Sequence, residues 1–135
     1  MVRRRPVAER AMTFPPEHWS EYQSRRSTIR GMLDERCYTI DWLDVMIANG
    51  DARVFASPEA VIVVAVKRYP AGATELHGLV AAGTLNAILP LIAESEEWAK
   101  GNGVTFAAIA SREGWSRVLK ESGYRLHQTE LRKEL

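Results

Sequence analysis

Residues 60–66 read Ala-Val-Ile-Val-Val-Ala-Val, the longest unbroken apolar run in the chain. Five of these seven are β-branched, and such side chains fit a pleated strand better than a helix. No polar residue alternates with them, so both faces need cover and the run predicts an inner strand. Turn sequences bracket it: Ser57-Pro58-Glu59 before, Tyr69-Pro70-Ala71-Gly72 after. Strands are predicted on the far side of each turn, at 52–56 and 75–81. Turns this short leave no room for crossovers, so the three strands form an antiparallel meander. Alternation on the third strand places Leu76 and Val80 on one face, with Glu75, His77 and Leu79 on the other. The apolar run is far too short to cross a membrane.

Helical spacing flanks the meander. Trp19, Tyr22, Arg26, Ile29 and Leu33 predict a helix over about 16–35, opened by Thr13 or Pro15. Thr39 is the expected N-cap of a short second helix, with Asp41 at the positive end of its dipole. Ile40, Leu43, Met46 and Ile47 make its stripe, and Asn49-Gly50 ends it. After the meander, Leu85, Ile88, Leu89, Ile92 and Ala99 predict a helix ending at Gly101-Asn102-Gly103. Pro90 lacks a helical N–H, so the regular helix either starts near it or kinks there. A buried strand at 104–110, a short helix at 112–122 with Trp115, Val118 and Leu119 inward, and a last strand at 124–131 complete the chain. The order is α, α, β, β, β, α, β, α, β. It predicts an α/β (α+β) fold with a mixed sheet: an antiparallel meander, then β-α-β-α-β, with helices on both faces.

The 135 residues supply one core, expected at 13–135, after a basic arm at 1–12. The net charge of +1 is unevenly spread: residues 1–30 hold seven Arg against three Glu, and the remainder 11 basic against 14 acidic residues. Arg3, Arg4 and Arg5 suit a solvated terminus, or an arm making weak contact with nucleic-acid phosphates. No aromatic residue is interleaved with them to stack on bases. Cys37 alone can form neither an intramolecular disulfide nor a Cys-built zinc site. His18, His77 and His127 lack ligand spacing, so no metal is expected. No apolar signal region follows the N-terminal arginines, which makes the cytoplasm the default compartment.

The order of elements resembles the GNAT superfamily of acetyl-CoA-dependent N-acetyltransferases. Glu97-Trp98-Ala99-Lys100-Gly101-Asn102-Gly103-Val104 is similar to that family's helix end and strand entry. Val118-Leu119-Lys120-Glu121-Ser122-Gly123-Tyr124 is similar to its later helix running into Gly-aromatic. The resemblance implies a CoA phosphate loop of pattern Gln/Arg-x-x-Gly-x-Gly/Ala, which falls on Gly83, Thr84, Leu85, Asn86, Ala87 and Ile88 and is degraded there. A shifted alignment makes Ala82-Gly83 the turn and Thr84 an N-cap. The family's Tyr acid falls on Leu119, which carries no proton to give, and an Asn often found earlier falls on Arg112. Tyr124 reads as core.

The resemblance leaves two functions open. In the first, acetyl-CoA lies beside 75–81, its pantetheine on the backbone of Leu79, Val80 and Ala81, its phosphates at Gly83, Thr84 and Asn86. An amine is then deprotonated by Glu75 or His77, which otherwise are residues of a wet strand face. In the second, the chain is a non-catalytic GNAT-like protein that has lost CoA binding and meets protein partners or virion components. Arg112-Glu113-Gly114-Trp115 either pins a helix onto the sheet or, as part of a wider likeness, resembles small GNAT-like proteins of phages and prophages. The length, short beside the family's enzymes, fits that second reading.

Overall fold

A computed structural model describes residues 16–111 and 114–135. The arm 1–12 with Arg3–Arg5, the helix-opening Thr13 and Pro15, and Arg112-Glu113 lie outside the described residues. The elements are α1 (Pro16–Met32), α2 (Ile40–Ala48), β1 (Ala52–Ser57), β2 (Ala60–Arg68), β3 (Thr74–Ala82), α3 (Leu85–Gly101), β4 (Phe106–Ala108) and α4 (Trp115–Glu121). The four strands lie in the order β1-β2-β3-β4. The first two pairings are antiparallel and the third parallel. This is the mixed sheet expected from short turns followed by a helical crossover.

β2 is the inner strand that its sequence demands, with residues 60–64 all buried. Its side chains feed two apolar layers in alternation. Val61 and Val63 pack with Tyr22, Ile29, Leu43, Ile47 and Val54 beneath α1 and α2. Ile62 and Val64 pack with Phe55, Leu76, Ile88, Leu91 and Leu119 beneath α3 and α4. Each such side chain removed from water contributes about 1.5–3 kcal/mol, so the two layers set the fold.

One expectation about β3 is overturned. Val63 faces Val80 while Val64 faces Gly78, so Leu79 is an extra residue on β3. Such a bulge reverses the alternation beyond it. Leu76 therefore packs on the α3 side and Val80 on the α1–α2 side.

The first two helices are tied by one carboxylate. Asp44 accepts from the Tyr22 hydroxyl at 2.5 Å and from Arg26 Nε and Nη2 at 3.0 and 2.7 Å. The Arg26 hydrogen bonds hold the Asp44 carboxyl below the usual carboxylate range. A lowered folded-state pKa stabilises fully above the unfolded value, about 3.9 for Asp, and is lost as pH falls through the folded one. Asp44→Asn is expected to cost about 1–2 kcal/mol at neutral pH. The gap from wild type in urea midpoint narrows below about pH 4. A gap that stays constant down to pH 2 contradicts this account.

Thr39 caps α2 as expected, accepting from Trp42 N. α1 stops three residues early, because Leu33 N turns back to Arg30 O and Asp34 opens a tight turn whose carbonyl accepts from Cys37 N and Tyr38 N. α3 is capped by Thr84 and runs through Pro90, so the helix does not wait for the proline. The missing N–H would have met the carbonyl of exposed Asn86.

The C-terminal expectations change most. Residues 124–131 form no strand, and β4 is a three-residue strand with Phe106 half exposed instead of a buried 104–110. Leu126 and Leu131 have opposite parity, so no face of that segment is consistently apolar, and both are exposed. The segment is instead tied at its end by an Arg36–Glu134 ion pair of 2.6 Å and an Arg132 contact to the Cys37 sulfur.

Candidate functional site

The β3–β4 ladder holds only three pairs, Glu75–Phe106, Leu76–Ala107 and His77–Ala108. β4 then ends while β3 runs on to Ala82. The two chains part at His77, and a cleft of about 340 Å³ opens in the fork. Gly78, Leu79, Val80, Ala81, Ala82 and Gly83 line one side, and Ile109, Ala110, Ser111, Trp115 and Tyr124 lie across from them. Beyond the ladder, β3 turns a backbone edge of alternating N–H and C=O groups into this space.

The far end of the cleft is the start of α3. Gly83 has φ +127°, and a Cβ there would sit 2.8 Å from Ala60 Cβ and from the Glu59 carbonyl oxygen. Only glycine turns the chain here. Thr84 then caps α3, its hydroxyl accepting from Ala87 N at 3.3 Å. The Leu85 and Asn86 amides precede the first intrahelical bonds and are left for an outside acceptor. This is the shifted alignment, with Ala82-Gly83 as the turn and Thr84 as the cap. Of the expected cofactor residues, Leu79, Val80, Ala81 and Gly83 line the cleft, whereas Thr84 and Asn86 stand beside its end. Ile88 and Ile92 form part of its floor.

Glu75 and His77 do meet. His77 Nε2 is hydrogen-bonded to Glu75 Oε1, which also accepts from the Tyr69 hydroxyl at 2.7 Å. The Tyr69 bond, followed by His77, holds the Glu75 carboxyl below its ordinary range. The Glu75 side chain is 12% exposed and His77 36%. In the neutral ring, an ionised carboxylate on Nε2 favours the tautomer with the proton there, which leaves Nδ1 as the acceptor. The pair sits at the apex of the fork, on the sheet face opposite Leu76, so neither residue lines the cleft.

Leu119 is buried among apolar neighbours. Tyr124 packs against the same layer and lines the cleft. Its hydroxyl donates to Glu96 Oε2 at 2.5 Å. Burial first, and then Glu96, push its pKa up, so it stays a phenol. Among the described residues, no three His, Cys, Asp or Glu side chains converge as metal ligands. Alternation counting missed the Leu79 bulge. The signal that could have found it is Gly78, an isolated glycine inside a strand.

Comparison with solved structures places this arrangement. An acetyltransferase of Trypanosoma brucei superposes with a TM-score of 0.64 at 13% identity, over 87% of this chain and 94% of that one. The fold is that of the GNAT acetyltransferases. A predicted acetyltransferase from Clostridium acetobutylicum, solved with acetyl-CoA, matches 98% of this chain and 94% of that one at 10% identity and TM-score 0.60. A ribosomal-protein-alanine N-acetyltransferase from Brucella melitensis matches 87% of this chain and 96% of that one at 7% identity and TM-score 0.61. No family model matches the chain. No curated protein matches it either. At these identities the likeness is one of fold, and activity has to be read from the site. Because the matches span nearly all of those chains, length does not separate this GNAT-fold chain from them.

Proposed function

We propose that this chain transfers an acetyl group from acetyl-CoA to a primary amine. The observation that carries the reading is the fork at His77, which opens a cleft along β3 that ends at Gly83, just before the Thr84 cap of α3. Pantetheine amides pair with the backbone of Leu79, Val80 and Ala81 as an added strand would. The phosphates meet the turn at Gly83 and Thr84 and the amides of Leu85 and Asn86, where the dipole of α3 favours an anion.

The thioester then reaches the apex of the fork, and the amine approaches from the face that carries His77. His77 Nδ1, directly or through one water, accepts a proton from the amine as its nitrogen attacks the thioester carbonyl. The C–N bond forms, the C–S bond breaks, and the CoA thiolate is protonated from solvent or from the imidazolium. Glu75 keeps the His77 ring in one tautomer and stabilises the charge it gains. An N–H of the β3 edge polarises the carbonyl. Leu119 contributes no proton, so the leaving thiolate relies on water or on His77.

Calorimetric titration of the full chain with acetyl-CoA tests the reading. A dissociation constant in the micromolar range, about −8 kcal/mol, is expected. Absence of heat at millimolar acetyl-CoA overturns it and leaves the non-catalytic alternative, a GNAT-fold protein that meets other chains.

A further inference from the structure

The fork cleft does not stop at β3. It reaches Ile62 and Val64, side chains of β2 on the α3 side of the sheet. The cross-strand pairs explain how. Val64 faces Gly78 and Ile62 faces Ala81, so at both positions the β3 partner is small. A Cβ added at Gly78 would meet nothing within 4 Å. The missing side chain leaves the cleft open down to this apolar floor, which Ile88 and Ile92 of α3 share. The one polar side chain on the floor, Ser95, already donates its hydroxyl to Ile92 O at 2.7 Å. The floor therefore offers a polar occupant no free side chain, and water on it would find few partners. It is reached at Gly78, the residue next to the fork apex at His77.

We infer that the apolar floor of the cleft under Gly78 takes the hydrocarbon of an acyl group longer than acetyl, so that the preferred donor is a short- or medium-chain acyl-CoA. The inference rests on the proposed acyl-CoA reading, since it is that reading which brings a thioester to the apex. Gly78 then sets specificity: it is the position where any side chain would occupy the acyl space. Burying each further methylene is worth about a fourfold gain in affinity. Hexanoyl-CoA, four methylenes longer than acetyl-CoA, is expected to bind tighter by on the order of 10².

The test is calorimetry of the full chain with CoA, acetyl-CoA, butyryl-CoA and hexanoyl-CoA, on the native sequence and on Gly78→Leu. The native chain is expected to give affinities that rise with chain length. Gly78→Leu is expected to bring the hexanoyl-to-acetyl affinity ratio to one or below. Gly78→Val serves as a second variant, and β-branched Val suits a strand better than Gly. If acetyl-CoA binds the native chain but affinity is flat or falls with chain length, the acyl inference fails and the acetyltransferase reading stands. If the rising series survives in both variants, Gly78 is not the determinant and the assignment to this floor fails. If no CoA thioester binds, both readings fail together.

Discussion

His77→Asn is expected to lower the rate of acetyl transfer by about 10²–10⁴, the usual worth of a positioned general base. The loss falls on kcat and not on the KM for acetyl-CoA, because His77 lies at the fork apex outside the cleft lining. Glu75 acts through His77, so Glu75→Gln is expected to cost less, about 10–10². Glu75→Asp should recover part of that loss, which a merely structural carboxylate would not require. The Glu75 side chain is largely buried and its carboxyl is held low by Tyr69, which makes it a poor base and a good anchor. A spectrophotometric assay of released CoA thiol separates these roles. Full activity in His77→Asn with a collapse in Glu75→Gln would move the base to the carboxylate and contradict the assignment.

Much of this fold was legible because local signals agreed. The β-branched run at 60–66 with a proline turn on either side leaves no arrangement except an inner strand in a meander, and Thr39 and Thr84 cap their helices as threonine does elsewhere. The losses come where one residue changes parity. Leu79 is an inserted residue, and counting by twos carries Val80 to the wrong face. Residues 124–131 have strand-like content, yet a strand needs one apolar face, and Leu126 and Leu131 point to different ones. At the site, Glu75 and His77 were visible as an i, i+2 pair, but Tyr69, across the turn from them, was not. The degraded phosphate loop was legible as a departure from the family pattern. What replaces it is a close approach between Gly83 and Ala60, and no spacing rule encodes a contact between a turn and the start of a distant strand.

That contact gives the second large effect. Gly83→Ala is expected to destabilise the chain by roughly 2–4 kcal/mol, combining backbone strain with overpacking. Against a typical total of about 5–15 kcal/mol this is a large share. Gly72→Ala is the control: its φ is +101°, but an added Cβ there meets nothing within 4 Å. It should cost only the strain, about 1 kcal/mol. Urea midpoints at unchanged m-value measure both. Equal costs would mean that the approach to Ala60 and the Glu59 carbonyl is not what holds position 83. The two variants should also part in ligand binding. The turn at Gly83 fixes where α3 begins, so displacing it moves the Leu85 and Asn86 amides away from the phosphates. Gly72 lies in the turn between β2 and β3, and its tightening leaves those amides in place. Weaker acetyl-CoA binding in Gly83→Ala alone would tie the stability of the turn to the geometry of the anion site. An equal loss in both variants would show that general loosening, and not the turn, weakens binding.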